Sequence, residues 1–319
     1  MAESKQATHG IGYRIRRRLI KEWLLNRYLY LMAFPAVAAL FVFHYLPMFG
    51  LVMAFQDYAP RKGITGSPFV GLKNFEFLFA TSDAWRITRN TIGYNTIFIL
   101  INLFFAVLIA ILLSQINSRA MAKLFQTVYI MPYFLSMAII AIIVLAVLDV
   151  RNGYVNMLRI QFGGEARNWY MIKDPWPYIL IVVNMWKGIG YSAVVYLAAI
   201  AGISHEYYEA AMLDGATKFQ QARFITIPHL KPMISILLIM SIGRIFRGDF
   251  GLFYLVPQNS GPLYAATDVI DTYIYRAMLT LNNPGMAAAA GFYQSFVCLA
   301  LVLIANKIVT MIEPDNAMF

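Results

Sequence analysis

The sequence predicts an all-α membrane protein with six transmembrane helices, and three observations carry that prediction. Of its 319 residues, 60% are hydrophobic and only 13% are charged, with a mean hydropathy of +0.61. Soluble domains carry about 25% charged residues. Six apolar stretches are each long enough to cross about 30 Å of hydrocarbon, which takes roughly 20 helical residues. The runs are continuous rather than alternating, which favours helices over a barrel.

The chain opens on a basic segment, residues 1–27, where Lys5, Arg14, Arg16, Arg17, Arg18, Lys21 and Arg27 precede the first long apolar run. Much of the net charge of +10 sits there. It reads as a cytoplasmic topology signal attractive to anionic lipid, and not as a nucleic-acid surface. Within it, Ile15, Leu19, Ile20, Trp23 and Leu24 fall on one helical face with arginines opposite, the pattern of an interfacial amphipathic helix. The transmembrane domain follows over 28–319, with spans expected at 28–55, 94–113, 125–148, 178–201, 234–256 and 286–311. The first run is too long for a signal-peptide core and stays as a span. An even number of spans puts both termini on one side, and the basic N-terminus makes that side cytoplasmic. Breakers interrupt several spans: Pro35 and Pro47 in the first, Pro132 in the third, Gly243, Gly248 and Gly251 in the fifth. Such breaks are tolerated where neighbouring helices or a water-filled cavity satisfy the freed backbone. "GMAAAAG" at 285–291 supplies small side chains for close packing of the sixth span. The single cysteine, Cys298, excludes an intrachain disulfide, and the four histidines show no metal-ligand spacing.

Between the fourth and fifth spans lies a polar stretch, "EAAMLDGATKFQQARFITIP", residues 209–228. Ser204 is placed to cap a helix whose first turns carry Glu206 and Glu209, where carboxylates suit the helix dipole. Asp214-Gly215 reads as its stop, with Gly215 in the left-handed conformation. "TKFQ", 217–220, fits a capping box opening a second short helix, which Pro228 and Pro232 end before span five. Ala210, Ala211 and Ala216 near the turn let another surface approach closely. Helix–helix connections usually take about two to eight residues, so a loop over about 203–232 points to protein docking.

Two basic residues fall deep in the expected spans. Arg244 stands ten residues into span five and Lys187 nine residues into span four from its outer end, both near the midplane. A charge there costs about 2.5–3.5 kcal/mol, and such residues by default face a pathway, a cavity or one another. Arg247 and Asp249 follow in "GRIFRGDFG", where they either pair with each other or line the path. Asn184, Trp186, Tyr191, Tyr293 and Gln294 add hydrogen-bonding groups and aromatic platforms to spans four and six. Asp268-x-x-Asp271 is two carboxylates, too few for a calcium site, and its segment reads as an outer loop or partner contact.

The loop is also where a family likeness becomes specific. Glu209-Ala210-Ala211, then Gly215, Ile225 and Pro228 resemble the signature loop of permease subunits in binding-protein-dependent ABC importers. Ile227 stands where that family usually has leucine. "AAMLDGAT" resembles the carbohydrate-uptake branch related to the maltose permeases. "FRGDFGLFY", "NSGPLY" and "TDVIDTYIYR" are similar to oligosaccharide permeases of the LplB type and, within that branch, to a permease subunit of the bacterial alginate importer. The resemblance covers the whole chain. It implies the type I importer permease fold and a multi-pass place in a bacterial cytoplasmic (inner) membrane.

It also implies that the loop is a coupling helix docking into a cytoplasmic ATPase. Glu209 would make polar contact with that subunit, Ala210 and Ala211 would pack in its cleft, and Gly215 would make the turn, flanked by Asp214 and Ala216. The implied partners are a second related permease, two ATP-binding subunits that hold ATP and Mg, a solute-binding protein, membrane lipid and a saccharide. The chain lacks G-x-x-x-x-G-K-[ST], so it is expected to bind no nucleotide and to be no enzyme. Basic residues in the path suit an acidic saccharide such as alginate. The rival reading is an ion-coupled secondary transporter, which also uses broken helices and midplane charges but has no use for the docking loop. A membrane transferase lacks a nucleophile–base constellation here, and a passive channel would need no partners.

Overall fold

The structure, a computed structural model, describes residue 23 and residues 25–76, 81–280 and 282–312. The interfacial helix expected in the basic N-terminus falls on residues outside the described set, apart from Trp23 and residues 25–27. The chain divides into two units, Met1–Met53 and Ala54–Phe319. The first carries most of α1, Leu25–Phe55. Its regular helix runs through Pro35, widens to a π turn over Phe41–Tyr45 and tightens to 3₁₀ geometry over Leu46–Phe55. The change of ladder comes at Pro47, whose missing N–H cannot continue the regular bonding pattern.

The second unit contains α2 (Ser82–Ser114), α3 (Arg119–Ile130), α4 (Met137–Leu148), α5 (Tyr154–Gln161) and α6 (Trp176–Ala201). It continues with α7 (His205–Leu213), α8 (Lys218–Ile242), α9 (Ile270–Leu279) and α10 (Pro284–Ile312). Among the described residues five helices are long and apolar enough to cross a membrane. The α3 region and α4 form a pair bent by 95°, which makes up to six spans when counted as one. The bend falls at Met131–Phe134, a 3₁₀ turn containing Pro132, and Ser136 then caps α4.

Two buried clusters show how the bundle is strung. Tyr94 and Phe98 of α2 share a core with Leu180 and Val183 of α6, while Ala106 and Ala110 share another with Ala193 and Tyr196. The pairs advance together along both helices, so α2 and α6 run parallel. The chain between them must therefore return once, and the bent α3–α4 pair provides that return.

Three expected boundaries are corrected. α2 begins at Ser82 rather than at 94, because its polar first turns find partners inside the bundle. Span three is not one straight helix but the bent pair. Span five is not a helix over 234–256: α8 starts at Lys218, ends at Ile242, and helix resumes only at 250–255. The two prolines do not end a separate short helix. A π turn over Ala222–Thr226 precedes Pro228, which sits in the first turn of the regular segment, and Pro232 is carried inside the helix.

Candidate functional site

α7 and the turn after it follow from local chemistry. The Ser204 hydroxyl accepts from the Glu206 N–H at 3.3 Å and caps the helix. At the other end the Gly215 N–H bonds the Met212 carbonyl and the Ala216 N–H bonds the Ala211 carbonyl, the two bonds of a Schellman motif. The motif needs a left-handed residue, and Gly215 has φ +76°. Thr217 and Gln220 then cap each other's backbone at the start of α8. The cap, the turn and the capping box stand where the sequence placed them.

This unit is attached firmly to α8. The Tyr208 hydroxyl lies 3.0 Å from the Thr226 hydroxyl, and the rings of Tyr207 and His229 are 5.1 Å apart. His229 Nδ1 lies 2.7 Å from the Ile225 carbonyl, which can only accept, so the ring proton sits on Nδ1. Lys218 reaches the Gln115 carbonyl just past α2 at 3.5 Å. Glu209, Ala210, Asp214, Gly215 and Pro228 are exposed, while Ala211, Ala216 and Ile225 are half-buried. The sequence reading missed the apolar part of this surface. Leu213 is 90% exposed, and Met212, Phe219 and Phe224 in the same stretch are exposed as well. Large apolar residues inside an otherwise polar loop were the signal available.

Of the residues expected to line a path, Lys187, Asp249 and Gln294 bond backbone groups at two breaks. Lys187 lies mid-way along α6 and donates to the carbonyls of Tyr133 (3.1 Å) and Leu135 (2.5 Å), with its Nζ 5.8 Å from the Tyr133 ring centroid. It satisfies backbone freed at the Pro132 break, and Tyr191 stacks on Tyr133 at 4.5 Å beside it. Trp186 borders an apolar cavity of about 420 Å³ with Tyr129, Pro132 and Val182. Asn184 is half-buried and makes no hydrogen bond among the described residues.

The segment 243–249 is a second break, clamped from three helices. The Asn95 amide donates to the carbonyls of Ile245 (2.8 Å) and Arg247 (3.0 Å). Gln294 is buried and donates to the Phe246 carbonyl and, at 3.1 Å, to Asp271 Oδ2. That same carboxylate oxygen accepts the Gly248 N–H at 2.5 Å. Asp249 accepts the Leu252 N–H at 3.1 Å and so caps the resumed helix; it forms no ion pair with Arg247 among the described residues. Tyr293 meets Phe246 edge-on at 6.1 Å. Arg244 and Arg247 are exposed. Because α8 starts at Lys218, Arg244 lies beyond the end of a 25-residue helix, about 37 Å long, and not ten residues into one.

The Asp268/Asp271 segment is not an irregular loop, since helix covers Tyr264–Thr267 and Ile270–Leu279. Asp268 is 1% exposed, paired with Arg276 at 2.6 Å and Arg86 at 3.6 Å, and accepts the Thr272 hydroxyl at 2.7 Å. Arg276 also stands 4.2 Å from the Tyr264 ring centroid. Two cations and a hydroxyl donor compensate the buried carboxylate, which alone would be very costly.

The parallel pair of α2 and α6, the two broken spans and the α7 turn are the arrangement that comparison with known proteins explains. Residues 103–315 match the family described as "Binding-protein-dependent transport system inner membrane component". The chain belongs to that family. It is 36% identical over 296 residues to the polygalacturonan/rhamnogalacturonan transport system permease protein YteP of Bacillus subtilis (strain 168), covering 92% of this chain and 91% of that protein. Protein LplB of the same organism is 30% identical, with 91% of each covered. A chain from the crystal structure of a bacterial ABC transporter involved in import of the acidic polysaccharide alginate superposes with a TM-score of 0.84. It is 32% identical, with 93% of this chain and 99% of that chain covered. The same transporter bound to an alginate pentasaccharide-loaded periplasmic protein gives a TM-score of 0.83. This family member is a multi-pass membrane permease subunit, all-helical, and not itself an enzyme.

Proposed function

We propose that this permease forms, with a second related permease, the path for an acidic oligosaccharide delivered by a solute-binding protein. Two ATPase subunits, holding ATP and Mg, would drive it from the cytoplasm, where both termini also lie. The observation that carries the reading is the α7–Gly215 handle: an exposed helix end with Leu213 at its tip, braced on α8 and shaped for another protein's cleft. The acidic substrate class is supported by relatives whose names specify polygalacturonan, rhamnogalacturonan and alginate transport. The ion-coupled alternative loses its support with the family assignment.

In this mechanism ATP closes the ATPase pair, the pair moves the docked α7, and α8 carries that motion to the break at 243–249. The helices then expose the path to the other side. Nucleotide can shift that equilibrium only by its differential affinity for the two states. Gly215→Pro removes the left-handed turn, and Glu209→Lys reverses the charge facing the ATPase. Each variant should reduce ATP-driven saccharide uptake at least tenfold in vesicles holding the full assembly, while reaching the membrane at normal level. Wild-type uptake by both variants would refute the coupling role.

A further inference from the structure

We propose that a cleft at the end of the bundle remote from α7 is a subsite for one uronate residue of the transported chain, its carboxylate held by Arg89 and Lys173. The proposal rests on the saccharide-permease reading and adds to it a place and a chemistry. α6 begins beside this cleft and ends at α7 after 26 residues, about 39 Å of helix, so the two sites lie at opposite ends. The cleft is open on one side and has a volume of about 510 Å³, within the range of about 300–1,000 Å³ typical of ligand sites. Segments from three parts of the chain build it: residues 89–97 of α2, the stretch leading into α6, and the turn around Ala265 and Ala266.

Its polar groups are arranged rather than merely present. Arg89 Nη2 donates to Asn90 Oδ1 at 3.3 Å. The Asn90 amide is itself fixed to the carbonyls of Ala265 (3.2 Å) and Asp268 (3.0 Å). One edge of the guanidinium is thereby tethered, which leaves its other N–H groups for a planar carboxylate. Lys173 and Asp174 face the same cleft, and none of the three charged groups is in an ion pair among the described residues. Two cations and one carboxylate leave a single positive charge, the complement of one uronate, while Asp174 can accept from sugar hydroxyls. The Tyr94 hydroxyl is spent on the Ala266 carbonyl at 2.7 Å. Tyr94 is buried against Phe98 and Phe253, and it is Ile97 and Pro177 that offer apolar wall to the C–H face of a pyranose. Gly93 lines the cleft, and a Cβ there would meet no atom within 4 Å, so a larger side chain would enter the cleft without striking the protein.

The test uses the complete assembly with its binding protein in vesicles, comparing a short oligouronate with its carboxyl-reduced, neutral counterpart. The double variant Arg89→Gln/Lys173→Gln should lower oligouronate uptake at least tenfold and uptake of the neutral counterpart less than twofold. Gly93→Leu, which fills the cleft, should lower both. ATP hydrolysis stimulated by the loaded binding protein should stay within twofold in the double variant. Equal loss for both sugars, or parallel loss of stimulated hydrolysis, would make the cleft a contact for the binding protein's acidic side chains or for lipid phosphate and overturn the proposal. Unaltered uptake in the double variant, or preference of the wild type for the neutral sugar, would overturn it as well. Absence of ATP-driven uptake of any saccharide by the wild type would instead defeat the permease reading.

Discussion

Asp271 illustrates how one side chain can hold a broken helix and what that costs. Its Oδ2 accepts from the Gly248 N–H and from Gln294, so it closes a gap where the backbone ladder has stopped. Burial raises its pKa above the ordinary value of 3.8, and the Gly248 N–H, Gln294 and the charge of Arg247 oppose that only in part. A carboxyl raised in this way contributes its full stability below the unfolded value and loses it as pH rises through the folded value. Wild-type stability should therefore fall relative to Asp271→Asn as pH climbs from about 4, because the amide keeps an acceptor and never charges. Thermal melts of the two proteins in the same detergent across that window decide the matter. Parallel pH profiles would show that the carboxyl titrates as if in water.

At the scale of elements, close approach is enforced where α6 crosses the break in the third span. A Cβ on Gly190 would fall on the Tyr129 carbonyl, which is backbone and cannot swing aside. Gly190→Ala should therefore destabilise the protein by about 1–3 kcal/mol, the usual cost of overpacking, or more. Two residues away on the same helix, a Cβ on Gly188 would meet only the Asn102 amide at 3.5 Å. Gly188→Ala should be neutral or stabilising by up to about 1 kcal/mol, since alanine is the better helix former. Equal melting temperatures for both variants would remove the steric account.

The same elements show what the sequence could disclose. α6, α10 and α7 were legible because apolar length, a serine cap, a glycine stop and a capping box are local signals. The start of α2 was not, because a hydropathy window stops at polar residues whatever partners they have, and neither was the continuity of α8 from its capping box through Pro228 and Pro232. Asn90 looks like a loop residue until the carbonyls it binds, more than a hundred positions away, are in place. For the same reason Lys187 and Gln294 read as path-lining groups, although the structure commits them to backbone carbonyls at the two breaks.

For the whole molecule, the arrangement is a mechanical line: α7 braced on α8, α8 ending at the 243–249 break, and that break clamped to α2, α9 and α10. Docking and transmission should then be separable. Leu213 is the exposed tip, and an aspartate there would have to be desolvated without a partner inside the ATPase cleft. Leu213→Asp should cut recovery of the ATPase with the purified permease at least tenfold and leave the melting temperature of the permease alone unchanged. Tyr208→Phe removes only the hydroxyl facing Thr226, inside the joint between α7 and α8. That variant should retain the ATPase at wild-type level but transport less saccharide per ATP hydrolysed, because the handle moves with less of α8 following. Loss of ATPase capture in Tyr208→Phe, or normal capture in Leu213→Asp, would mean that the tip and the joint do not divide the work this way.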